Sequence, residues 1–92
     1  MIRSFRCKDT QVLFEGAHPE RFRTIEMVAT RKLAMLDAAK TLDFMRSPPG
    51  NRLEALRGDR AGQWGVRIND QCRLCCVWTD SGADQVEIVD YR

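Results

Sequence analysis

The hydrophobic pattern changes its period at Pro48-Pro49-Gly50, and that change constrains the fold more than any other feature of the chain. Before it, Ile25, Val28, Ala29, Leu33, Leu36 and Ala39 recur at helical spacing. Met27 and Met35 widen the apolar side, and Arg31, Lys32, Asp37 and Lys40 lie largely elsewhere. This spacing predicts an amphipathic helix over 25–40. The proline pair stops any helix, because proline lacks a backbone donor and its ring clashes with the preceding turn. After it the period is two. Trp64, Val66 and Ile68 alternate with Gln63, Gly65, Arg67 and Asn69, and Cys72, Leu74, Cys76 and Trp78 alternate with Arg73, Cys75 and Val77. Strands are expected over 63–69, 72–78 and 86–91, with turns at Asn69-Asp70 and over 79–83. Connections this short give an antiparallel meander.

The amino-terminal part supplies the remaining elements. Positions 2–7 alternate as a short first strand would. Asp9 offers a helix N-cap and Gly16 a stop, with Val12, Leu13 and Phe14 as the apolar side of a short helix between them. Positions 17–23 are a polar connection containing Pro19, and 41–45 a further helical turn with Leu42 and Met45 inward. The expected class is α+β: a small, mostly antiparallel β-sheet with the N-terminal helices packed on one face. With 92 residues and no repeat or linker, one domain over 1–92 is expected.

Charge and cysteine narrow the function classes. A net charge of +2 does not by itself argue for nucleic-acid binding. From Arg46 onward, however, every basic residue is arginine, and the three lysines (Lys8, Lys32, Lys40) all lie earlier. Arginine's planar fork matches phosphate oxygens. Cys72 and Cys75 have zinc-like spacing, but strand alternation sends them to opposite faces, and the lone His18 is distant in sequence. Reduced structural thiols are expected, with no metal and no cofactor. The sequence has no signal-peptide core and no long apolar stretch, so a cytoplasmic protein without membrane association is expected.

Basic and proton-transferring residues cluster at the ends of the predicted strands, and a small basic sheet edged by arginines is a cradle suited to RNA. Metal-free RNA cleavage by the ribose 2′-hydroxyl, the activity implied by the resemblance described below, needs a base, an acid and cations over the phosphate oxygens. Arg57, Arg73 and Arg92 fit the cationic role, Asp90 can serve as base or orient its neighbours, and Tyr91 can carry a proton or stack on a nucleobase. Arg52, Glu54, Arg60 and Arg67 are candidate RNA contacts around them. Each has a plainer alternative: Asp90 pairing with Arg73 or Arg67, Tyr91 at the core edge, Arg57 and Arg60 flanking a solvated turn with Asp59. Trp64 and Trp78 lie on the apolar alternation and read as core.

Three segments bear a wider resemblance: Arg57-Gly58-Asp59-Arg60-Ala61-Gly62, Arg67-Ile68-Asn69-Asp70-Gln71-x-Arg73, and Val89-Asp90-Tyr91 near the terminus. Met1-Ile2-Arg3-Ser4-Phe5, Arg31-Lys32-Leu33-Ala34-Met35-Leu36 and Ser47-Pro48-Pro49-Gly50-Asn51-Arg52-Leu53-Glu54 extend it along the chain. Together they resemble the HigB-type toxins of the RelE/ParE superfamily. The resemblance implies a ribosome-dependent endoribonuclease (an mRNA interferase) acting in the decoding site of the 70S ribosome. It also implies neutralisation by a HigA-like helix-turn-helix antitoxin, through which the pair would contact operator DNA. The family's catalytic positions carry over to Arg57, Arg73, Asp90 and Tyr91. Arg92 stands where the family usually has histidine, and Glu54 where some members have another. Arginine is not deprotonated in proteins, so Arg92 is assigned to the phosphate and Glu54 becomes a possible proton acceptor. A ParE-like gyrase-inhibiting toxin and a catalytically weakened RNA-binding or co-repressor subunit stay open as alternatives.

Overall fold

The structure is a computed structural model that describes residues 1–47 and 49–90. Two α-helices, α1 (Lys8–Phe14) and α2 (Glu26–Ala38), precede strands β1 (Glu54–Ala55), β2 (Trp64–Arg67), β3 (Cys72–Thr79) and β4 (Gly82–Asp90). The described strands form one antiparallel sheet in the order β1-β2-β3-β4. The α+β arrangement expected from the change of period is present, with the helices on one face.

That face is the core. Ala29, Leu33 and Leu36 of α2 occupy successive helical turns and are buried against Val66, Leu74, Cys76, Ala83, Val86 and Ile88 of the sheet. Met27 departs from expectation. It is 78% exposed, because the apolar stripe of α2 is narrow and Met27 lies outside it. The segment over 17–23 is also more than a polar connection. A 3-10 turn, Glu20–Ile25, leads directly into α2 and buries Phe22 and Ile25. In α1, Cys7 rather than Asp9 takes the N-cap position, and Gly16 closes the helix end at φ 105°.

The predicted first strand survives only as two isolated parallel bridges, Ile2 to Ala83 and Phe5 to Val86. The reason lies in β4. Its register with β3 shifts between Cys75 and Val77, where Gln85 adopts φ 53° and inserts an extra residue. A bulge of this kind bends the strand and breaks the regular ladder. Ser4 bridges the irregularity, its hydroxyl accepting the Gln85 N–H at 2.9 Å. Because the bulge reverses the alternation, Ala83 and Val86 both face the core despite their spacing, and β4 begins at Gly82 rather than at Val86.

A second buried polar knot fixes the approach to β1. Asn51 is fully buried, and its amide donates to the Met45 carbonyl at 2.9 Å while its oxygen accepts the Lys32 ammonium. Burial lowers the Lys32 pKa, and the charges of Arg31 and Arg67 add to the effect. No helix among the described residues is long and apolar enough to cross a membrane.

All four cysteines are free thiols. Cys72 and Cys76 lie toward the core cluster and Cys75 on the other face, in agreement with the alternation, and no cluster of three or more metal-ligating side chains occurs among the described residues. Burial pushes the Cys76 thiol up to about 12, with Cys75 adding to the shift. Burial also acts upward on Cys7, but the amide and hydroxyl of Thr10, the Asp9 amide and the Arg21 guanidinium outweigh it and bring that thiol below its ordinary value. Peptide-resolved alkylation at pH 8 is therefore expected to label Cys7 first and to leave Cys75 and Cys76 unlabelled until the chain unfolds, since the thiolate is the reacting species. The Cys76 shift also has a sign. The native thiol keeps its proton above its ordinary value of 9.0 while an unfolded thiol loses it, so stability falls as pH rises from about 9 towards 12.

Candidate functional site

The face of the sheet opposite the helices is set with charged side chains, and the register dictates which. Glu54, Gly65, Cys75 and Glu87 are cross-strand partners in one row over the four strands. Arg67, Arg73 and Val89 form the next row. Partners in an antiparallel ladder point to the same face, so the pleat places Glu54, Arg67, Arg73 and Glu87 together on the open side.

Arg67 and Arg73 stand directly opposite each other, an arrangement that is unfavourable for like charges. Carboxylates offset it. Arg67 pairs with Asp70 in the β2–β3 turn, and Arg73 pairs with Glu54 on β1. The turn is itself held by Asn69, whose side-chain oxygen accepts the N–H groups of Gln71 at 2.8 Å and Cys72 at 2.7 Å.

The connection 57–63 folds over this face and completes a cleft. Leu56 donates its N–H to the Gln63 carbonyl at 2.9 Å. Its side chain lies over Gly65, where an added Cβ would meet it at 3.0 Å. A 3-10 turn, Gly58–Arg60, follows, with Gly58 at φ 63°. Arg60 reaches back across the sheet, where its guanidinium lies 2.8 Å from Glu87 and 3.1 Å from Gln63. The resulting cleft has a volume of about 650 Å³ and is lined by Glu54, Ala55, Leu56, Arg57, Arg60, Asp70 and Arg73.

Glu54, Arg57, Arg60 and Arg73, all marked from the sequence, thus meet in one cleft, and Arg67 stands beside it. Arg52 is exposed at φ 47° on the approach to β1 and does not line the cleft. Asp90 is the cross-strand partner of Cys72, which puts it on the core-side alternation at the strand's end, exposed, and out of row with Arg73. Tyr91 and Arg92 lie outside the described residues. Two residues of this face were not marked from the sequence. Asp70 read only as a turn residue, and Glu87 only as part of a strand. The signal for Glu87 was available: a carboxylate between Val86 and Ile88, both apolar, must face away from the core.

A helix-covered antiparallel sheet with an arginine-set cleft on its open face is the α+β arrangement that the resemblance implies. Residues 3–92 match the family described as RelE-like toxin of type II toxin-antitoxin system HigB. Toxin HigB-1 of Vibrio cholerae serotype O1 is 45% identical over 85 residues, which cover 90% of this chain and 90% of that protein. The chain belongs to the HigB-type family of toxins from type II toxin–antitoxin systems. Such a system supplies an antitoxin as its partner.

Proposed function

We propose that the protein is a ribosome-dependent endoribonuclease that cleaves translated mRNA by metal-free attack of the 2′-hydroxyl, and that a helix-turn-helix antitoxin neutralises it. The observation that carries the reading is the cleft lined by Arg57, Arg60 and Arg73 together with Glu54, the carboxylate that pairs with Arg73. In the proposed reaction the 2′-oxygen bonds to phosphorus and the bond to the 5′-oxygen breaks. The products are a 2′,3′-cyclic phosphate and a 5′-hydroxyl. Arg73 and Arg57 hold the non-bridging oxygens, where a fixed guanidinium meets growing negative charge. Glu54 accepts the 2′-proton after the phosphate takes its place on Arg73. Tyr91 and Arg92 are assigned to the same site on the family resemblance, Tyr91 to protonate the departing 5′-oxygen and Arg92 as a third cation.

The low net charge of the chain supports dependence on the ribosome. With a net charge of +2, the chain has little electrostatic hold on free RNA. Delivery of a positioned phosphate is then the ribosome's contribution, and positioning of reacting groups is worth several orders of magnitude in rate.

Brief induction followed by primer extension on mRNA, with a parallel assay for DNA breaks, tests the assignment. Codon-positioned cuts with intact DNA are expected. DNA breaks without mRNA cuts would instead mark a gyrase-directed toxin.

A further inference from the structure

Glu87 does not line the cleft, yet it holds the segment that closes it. Its side chain is only 15% exposed, on β4, in the row of Cys75 and Gly65. Arg60 Nη1 donates to its carboxylate at 2.8 Å, and Arg6 Nε from the amino-terminal segment lies 4.0 Å from the same oxygen. Arg60 belongs to the 3-10 turn that begins just after Arg57. The two are joined directly, with the Arg60 N–H on the Arg57 carbonyl at 3.2 Å and the Gln63 N–H on the Arg60 carbonyl at 3.0 Å. The turn is fastened to the sheet at one end by Leu56 over Gly65 and in the middle by Arg60 on Glu87. Gly58 and Gly62, both at positive φ, flank that fastening and leave the backbone between them compliant.

We infer that Glu87 is a positioning residue: through its ion pair with Arg60 it fixes the 57–62 turn, and with it the place of Arg57 over the scissile phosphate. The chemistry favours this over a merely structural pair. A carboxylate this shielded from water holds a guanidinium in one geometry more firmly than an exposed partner does. Arg57 is exposed, so its direction depends on the turn that carries it. The inference rests on the reading of the cleft as a cleavage site.

The test uses Glu87→Leu, which keeps the volume and removes the acceptor, and Glu87→Asp, which keeps a carboxylate. Single-turnover cleavage at saturating programmed ribosomes is expected to fall about 10- to 100-fold in Glu87→Leu, as displacement of a catalytic group by about 1 Å does, and to recover in part in Glu87→Asp. In an Arg57→Ala background, Glu87→Leu is expected to change the remaining rate less than about twofold, because energies of coupled residues are not additive. Amide relaxation supplies a readout independent of cleavage. Order parameters over 58–62 are expected to fall from about 0.85 to below about 0.6 in Glu87→Leu, with β2 and β3 unchanged. Equal rate losses in the two backgrounds, or unchanged order over 58–62, would overturn the role of Glu87. A parent protein that does not cleave would overturn the function proposed for the cleft, and the relaxation data would still decide whether Glu87 holds the turn.

Discussion

Replacing Arg73 by alanine is expected to abolish growth arrest and leave the fold intact. Arg73 is the second residue of β3, one-third exposed, opposite Arg67 and paired with a half-exposed Glu54. Solvent reaches both partners, so loss of the pair costs at most about 1 kcal/mol of stability. Part of that is returned, because the like charge facing Arg67 is removed as well. The catalytic cost is of another order. Removing one fixed group that stabilises transition-state charge lowers turnover about 10²- to 10³-fold. Arg73→Lys is expected to recover only part of the activity, since a point charge does not reproduce the fork that grips two phosphate oxygens. Thermal melts and growth curves at matched expression provide the measurement. Full toxicity in Arg73→Ala would remove Arg73 from the site.

The largest stability effect is expected at Leu33. This side chain is fully buried where α2 meets the sheet. Leu33→Ala is expected to destabilise the protein by about 2–5 kcal/mol, through lost transfer energy and an incompletely collapsed cavity. Domains of this kind have roughly 5–15 kcal/mol in all, so a large part of the total is at stake. Met27→Ala on the same helix is expected to stay within about 0.5 kcal/mol of the parent, because Met27 faces solvent. Urea denaturation of the two variants separates the faces of α2. A comparable loss in both would mean that the helix is rotated from the orientation described.

Where one periodicity persisted, the residues announced the structure. Val66, Leu74, Cys76 and Ile88 were legible as one face of a sheet, and Leu33 and Leu36 as one face of a helix. Legibility failed where the backbone broke its own rule. The bulge at Gln85 reverses the alternation between Ala83 and Val86, which hid the first half of β4 and left the amino-terminal segment with bridges in place of a ladder. Two-residue β1 is too short to show a period, and its pairing with β2 depends on a connection whose closure rests on Gly65 and Leu56. Asn51 carries no marker of burial; it is inside because Met45, six residues before it, and Lys32 on α2 supply its partners.

The candidate site divides along the same line. Arg57, Arg60, Arg73 and Glu54 could be picked from the sequence because arginines beside predicted strand ends and a family resemblance both marked them. What assembles them could not. The Arg60–Glu87 contact spans 27 positions, and the Arg73–Glu54 pair joins β3 to a strand that is not its neighbour. Asp90 shows the converse. Its place in the chain suggested company with Arg73, but pairing with Cys72 sets it on the alternate face.

The most direct test of the central claim is cleavage of a defined mRNA by the purified toxin, on programmed ribosomes and free in solution, with mapping of the new ends. The account predicts rapid cleavage on the ribosome alone, leaving a 2′,3′-cyclic phosphate and a 5′-hydroxyl, and no cleavage when the nucleotide before the cut carries a 2′-deoxyribose. Equal cleavage of free mRNA, or undiminished cleavage at the 2′-deoxy position, would contradict it.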